Sequence, residues 1–165
     1  MRYWLYKCNI AGGPAGYWGD WRGMVFNKIG PVQWGGDDST RSREVSHYLA
    51  GEISPGDVIV AYQTDLLAVV GYCTVARIIG RPKKRKLWLQ PFEVIDPPFR
   101  IHDHKQGSVL ERSIAVNGPV MLRELGSSEV KALLDLTGGP RRVLRGQPRA
   151  AGWNPRKAPP EAHTE

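Results

Sequence analysis

Residues Pro55 to Ile78 read P-G-D-V-I-V-A-Y-Q-T-D-L-L-A-V-V-G-Y-C-T-V-A-R-I. Two apolar, β-branched runs, Asp57–Gln63 and Leu67–Ile78, are separated by a short polar break at Thr64 and Asp65. Runs of this length and composition predict strands, and the short connection makes them neighbours in one sheet. Gly71 interrupts the second run, where a strand bends, bulges or admits another group close to its backbone. This hairpin is the expected centre of a small closed sheet, with the candidate site segments laid across its end.

Working outward, Arg2–Asn9 alternates Tyr3, Leu5 and the Lys7 stem with Trp4, Tyr6 and Cys8, the period of a first strand. Ala11–Gly23 (A-G-G-P-A-G-Y-W-G-D-W-R-G) is too glycine-rich for a long regular element, yet carries Tyr17, Trp18 and Trp21. Met24–Ile29 reads as a short strand, and Gly30–Gly36 as an irregular turn bearing Trp34. Val45, Tyr48 and Leu49 fall at i, i+3, i+4 and predict a helix over Arg41–Gly51 behind the capping Asp37, Asp38 and Ser39. Lys86–Ile95 is a further strand, with Pro91 at an edge or bulge. Asp96–Pro98 is expected to stop it, and Phe99–His102 to resume the sheet. Ser108–Ile114 suggests a helical turn, and Pro119–Leu125 fits strand or helix. Val130, Leu133 and Leu134 predict a helix at about Ser128–Leu136, closed by Gly138 and Gly139. The proline-rich segment 147–165 is expected to be a disordered tail after a domain spanning 1–146.

The 165 residues suit one domain with a proper core. Hydrophobic content is 41%, mean hydropathy is negative, and no apolar run approaches the ~20 residues that span a bilayer. The N-terminus, M-R-Y-W-L-Y-K-C, lacks a signal-peptide pattern, and two cysteines cannot form a disulfide framework. The expectation is a cytoplasmic protein with buried free thiols at Cys8 and Cys73 and no membrane partner. A net charge of +7 predicts attraction to polyanions through phosphate neutralisation. Arg81–Lys86 places five cations in six positions, and residues 139–165 hold six Lys/Arg against two Glu. Solvated loops and tails carry such runs too, so charge alone does not identify a nucleic-acid binder.

Catalytic chemistry has little support in the residues. No nucleophile elbow, phosphate-binding glycine loop, H-E-x-x-H or Cys-x-x-Cys occurs. His102-Asp103-His104 lacks a third ligand nearby and reads as a surface turn rather than a metal site. Cys8 beside Lys7 has no neighbouring histidine to activate it. No enzyme, metal or cofactor is predicted. The aromatic pattern carries more. Trp18, Trp21 and Trp34 sit in glycine-bearing, irregular segments, where indoles either plug a barrel end or wall a flat pocket that holds an extruded base by stacking.

The ordered set Y-W-L-Y-K-C-N (Tyr3–Asn9), Trp34-Gly35, a helix, P-G-D-V-I-V-A-Y-Q (Pro55–Gln63) and L-A-V-V-G-Y-C-T-V (Leu67–Val75) resembles the EVE domain. It is similar, more distantly, to the YTH domain, both being PUA-like. The resemblance spans about residues 2–78 and continues loosely through Trp88–Ile95 and Val120–Leu136. It implies an α+β fold, a PUA-like compact mixed β-barrel of about five to six strands flanked by short helices. It also implies a reader that holds a modified base of DNA or RNA, methylated or hydroxymethylated, in an aromatic-lined pocket. By the same resemblance Lys7, Cys8, Asn9, Trp34, Gly35, Tyr62 and Gln63 stand at that pocket, with Cys8 in place of the usual serine. Trp18 and Trp21 have no firm counterpart there and join the pocket on their loop placement. Arg41, Arg43, Lys83, Lys84, Arg85 and Lys86 are the candidate phosphate contacts. The rival readings are a protein-interaction module and an enzyme of the related ASCH type, whose G-x-K-x-x-E-x-R-type motif is absent.

Overall fold

The computed structural model describes residues 1–10, 17–34, 51–81, 85–103 and 122–138. Among the described residues seven strands form one sheet: β1 Tyr3–Asn9, β2 Tyr17–Trp18, β3 Val32–Trp34, β4 Val58–Gln63, β5 Ala68–Ile79, β6 Lys86–Arg100 and β7 Leu122–Glu124. Their order is β2-β1-β4-β5-β6-β3, with β7 added to β1. The predicted hairpin is β4–β5, antiparallel from Val58↔Thr74 to Gln63↔Ala68. All six residues of β4 are buried, as expected of a central strand covered on both faces. β1 runs parallel to β4, from Tyr3↔Val58 to Cys8↔Gln63. The architecture is the expected α+β, PUA-like one, drawn as a curled half-barrel. No β2–β3 pairing closes it among the described residues.

Period-two alternation divides the molecule into two cores. Trp4, Tyr6, Cys8, Ile59, Ala61, Cys73, Leu87 and Leu89 line one face together with Trp21 and Trp34. Tyr3, Leu5, Val58, Val60, Tyr62 and Tyr72 line the other, beneath helix α1 (Ser127–Thr137). Since Trp21 and Trp34 come from near the two ends of the strand order, their common face is the concave one. Register shifts at Val69/Gly71, Tyr72/Cys73 and Val75/Arg77 bend the β5–β6 ladder around it. Gly71 sits at one of these shifts because nothing larger fits. A Cβ there would lie 2.5 Å from the Glu93 carbonyl oxygen and 2.5 Å from the Phe26 ring.

The α1 helix matches its predicted span and ends on Gly138 at φ +78°, the left-handed conformation that suits glycine. Glu129 starts it by accepting the Gly126 N–H at 2.8 Å and holds Arg123 of β7 through both carboxylate oxygens, at 2.8 and 3.1 Å. Three local expectations change. Residues 22–26 form a π-type turn, with the Asn27 N–H bonded to the Arg22 carbonyl at 2.9 Å, in place of a strand at Met24–Ile29. Arg22 pins this turn to β6, donating to the Ile95 carbonyl and the Asp96 carboxylate at 3.0 Å each. Val32–Trp34 is a strand rather than a turn, because antiparallel pairing to Leu87–Leu89 outweighs the flanking glycines. β6 continues through Pro97 and Pro98 to Arg100 instead of stopping, and Ile101–Asp103 is a 3-10 turn. Of the ambiguous Pro119–Leu125, residues 122–124 are strand. The predicted 41–51 helix (apart from Gly51), the 108–114 turn, His104, Gly139 and the 147–165 tail lie outside the described residues. No helix among the described residues is long and apolar enough to cross a membrane.

Asp57 ties the start of the sheet together. Its buried carboxylate accepts the Arg2 N–H at 2.9 Å, the Trp4 indole N–H at 3.0 Å and the Ser54 N–H at 3.0 Å. Removing it leaves three donors without that acceptor, at roughly 1–3 kcal/mol for each buried one. Asp57→Ala is therefore expected to lower unfolding free energy by about 3 kcal/mol or more. Urea denaturation reads this, and a loss under about 1 kcal/mol would contradict the role given to Asp57.

Candidate nucleic-acid interface

The end of β1 and the end of β4 lie side by side, and Gln63 binds a third segment across them. This side chain is 1% exposed. Its Oε1 accepts the Trp21 N–H at 3.1 Å, and its Nε2 donates to the Gly19 carbonyl at 3.2 Å and to Asp65 Oδ1 at 2.6 Å. The Gly19 N–H in turn bonds the Asn9 carbonyl at 3.0 Å, extending the β1–β2 pairing. An irregular segment with few ladder bonds of its own is thus fixed by one amide. Gly19 is required at the contact point: its φ is +154°, and a Cβ would sit 3.1 Å from both Cys8 Sγ and the Trp34 ring.

The clamp places Trp21 on Trp34. Their ring centroids are 4.2 Å apart with planes 20° from parallel, and Tyr6 meets both edge-on at 5.7 and 6.2 Å. Both indoles are buried. The rings gather as the loop-borne tryptophans suggested, but they stack on each other and leave no base-thick slot between them. The Trp21 indole N–H has no hydrogen-bond partner among the described residues. Asn9 is half-buried beside them, donating to Thr64 Oγ1 at 2.9 Å.

The remaining candidates divide by face. Cys8, Gln63, Trp21 and Trp34 share the concave face, whereas Lys7 and Tyr62, cross-strand partners, lie on the opposite one. The sheet itself separates the two groups, so Lys7, Trp34 and Tyr62 do not jointly wall one opening. Trp18 falls in β2, while Gly35, Arg41, Arg43, Lys83 and Lys84 lie outside the described residues. Arg85 and Lys86 are described, and their position is informative. Lys86 opens β6, next to Leu87, the cross-strand partner of Trp34. Lys86 is exposed and alternates to the face of β6 opposite Leu87, so β6 brings the Lys86 backbone, one residue away, beside the aromatic pair. Further along β5, Arg77 lies over the Trp88 ring at 4.3 Å. On the α1 side a shallow groove of about 520 Å³ runs between Arg2, Tyr3, Leu125, Val130 and Lys131.

Sequence reasoning placed Gln63 at the pocket but missed its clamping role, whose partners lie 42 and 44 residues away. Asp57 was missed as an organiser, two of its three donors lying 55 and 53 residues away. Burial pushes the thiols of both Cys8 and Cys73 far above the ordinary cysteine range. No group of three or more metal-ligating side chains occurs among the described residues.

Solved structures share this fold. Human THYN1, in a crystal structure with 5-methylcytosine containing DNA, aligns with a TM-score of 0.61 at 10% identity over 83% of this chain and 98% of that one. The DUF55 domain of human thymocyte nuclear protein 1 gives 0.58 at 12% identity, covering 82% and 98%. A Rhodopseudomonas palustris protein solved by NMR gives 0.59 at 14% identity, covering 84% and 94%. No family model and no curated protein matches the sequence. At these identities the likeness establishes the fold alone, the α+β, PUA-like arrangement described above.

Two predictions test the local chemistry. The Lys7 pKa is lowered by burial and then by the nearby Arg123 charge, and no partner reaches its ammonium among the described residues. Below that lowered pKa the buried charge opposes folding, and the penalty fades as pH rises toward the ordinary lysine value of about 10.4. Lys7→Met should therefore be more stable than wild type by about 1 kcal/mol at pH 7, about 2–4 °C in Tm, with the gap shrinking by about pH 10. A variant melting at or below wild type at pH 7 would refute this. Separately, iodoacetamide should modify neither Cys8 nor Cys73 in the native protein and both in urea, read by mass spectrometry; native labelling of either would contradict their burial.

Proposed function

We propose that this chain is a DNA-binding reader module, not an enzyme, that takes up a methylated base beside the Trp21–Trp34 pair. The observation carrying the proposal is the fold shared with THYN1, whose structure contains 5-methylcytosine DNA. The geometry supports it in three ways. β6 opens with the exposed Lys86, one residue before Leu87, the partner of Trp34, and such a cation can supply a phosphate contact that carries no sequence information. The Trp21 indole N–H is a buried donor with spare capacity, which a base acceptor would satisfy. Gly19 packs bare backbone against Cys8 and Trp34, so that no Cβ holds the loop away from the ring a base would meet. Because the two indoles already stack, admitting a base requires one ring to swing aside or the base to extend the stack at its edge.

Stacking contributes about 1–3 kcal/mol per base and phosphate neutralisation supplies the rest. Fluorescence anisotropy with duplexes that differ only by one central 5-methylcytosine tests the reading. Wild type should prefer the methylated duplex at least several-fold. Trp34→Phe, which keeps a ring in the core, should lose the preference while retaining salt-sensitive binding. Equal affinity of wild type for both duplexes would reject the proposal.

A further inference from the structure

Thr74 and Val75 of β5 stand opposite Gln90 and Leu89 of β6, but the next pair is Arg77 with Trp88. Ala76 is the extra residue of a bulge, and a bulge re-aims the side chains that follow it. Val75 and Leu89 belong to the concave core, and simple alternation would put Arg77 on that face with Val75. The bulge turns Arg77 to the opposite, convex face instead, where its Cζ lies 4.3 Å from the Trp88 ring centroid. The exposed Lys86, two residues before Trp88, takes the same side, as does the exposed Gln33 of β3 opposite Trp88. Among the described residues the second core reaches no further along β5 and β6 in this direction than Tyr72 and Phe92, so the pair is not part of the layer under α1. Arg77 and Trp88 both stay part-exposed. The local charge has one sign: Leu66–Phe92 contains six Lys/Arg and no Asp or Glu. Neither Arg77 nor Lys86 makes an ion pair among the described residues, and Arg77 Nε has no hydrogen-bond partner. The guanidinium is held by the indole, not by a carboxylate.

We infer that this convex strip is a stacking platform for an unpaired DNA strand, with a base laid on the Arg77 guanidinium that Trp88 backs and a neighbouring phosphate on Lys86. The two parts of the occupant answer to two features of the strip. Unpaired cations with no acid among them attract a polyanion through phosphate neutralisation. Unpaired bases stack on guanidinium planes as they do on aromatic rings, without regard to sequence. An acidic peptide would use the cations and leave the stack idle. The inference rests on the DNA-reader proposal for the choice of DNA over RNA. Its site is a separate one, across the sheet from Trp21 and Trp34, and it reads no methyl group.

Stacking and charge can be measured apart in the whole chain. The probes are an oligothymidylate of about 15 nucleotides and an abasic sugar-phosphate chain of the same length, which has the charge but no bases. Wild type should bind the oligothymidylate roughly tenfold more tightly than the abasic chain. Arg77→Lys keeps the charge and removes the plane, so it should bring that ratio close to one while binding the abasic chain as wild type does. Lys86→Ala should weaken both probes alike and reduce the salt slope by about 0.7. Both variants should melt at the wild-type temperature. Equal affinity of wild type for the two probes would overturn the platform, and is the outcome if the strip docks an acidic protein segment. An unaltered ratio in Arg77→Lys would overturn it as well, and tighter binding of oligouridylate than of oligothymidylate would overturn the choice of DNA. If wild type shows no preference for a methylated duplex but Arg77→Lys still loses the ratio, the platform stands and the reader proposal falls.

Discussion

The contact of the Trp21 indole with the Trp34 indole makes a curled body out of a ladder whose two ends share no hydrogen bonds among the described residues. One ring follows β2 and the other ends β3, at opposite ends of the strand order. Aromatic pairs at this separation contribute about 0.5–1.5 kcal/mol beyond the area they bury. Two further features make the contact specific. Gly19 removes the Cβ that would hold the loop away from Trp34, and Gln63 bonds the loop backbone to β4. This end of the sheet, the aromatic mouth, is thus held by side chains rather than by strand pairing among the described residues.

Alternation along the strands sets what this mouth contains. β1 delivers Cys8 to the concave face and Lys7 to the convex one, and β4 does the same with Gln63 and Tyr62. A one-residue slip would exchange every pair, which the two packed cores forbid. Residues adjacent in sequence therefore divide between the aromatic mouth and the layer under α1. β6 opens with the exposed Lys86 and then pairs Leu87–Leu89 with β3.

The strongly periodic parts of this architecture were legible in the chain. β1, the β4–β5 hairpin, the bend at Gly71 and α1 followed from alternation, glycine position and capping. What escaped depends on distant partners. Val32–Trp34 is too short to show a period and is a strand because β6 pairs with it. The π-type turn at 22–26 mimics a short strand in composition, and Pro97–Pro98 resembles a terminator although an edge segment tolerates proline. That Trp21 and Trp34 would lie near each other was suggested by their loop placement. Whether they would plug the end or wall a pocket stayed open, and the stacked pair plugs it, with Gln63 fixing the Trp21 backbone from 42 residues away. Neither the clamp nor the three donors at Asp57 leaves a local signature.

The location of the nucleic-acid contact is the central claim, and hydrogen–deuterium exchange of the whole chain with and without a methylated duplex tests it most directly. Protection is expected in peptides covering Cys8–Ile10, Gly19–Trp21, Thr64–Leu67 and Arg85–Leu87. Protection confined to the opposite side, around Arg2, Leu125 and Val130 beside α1, would contradict it.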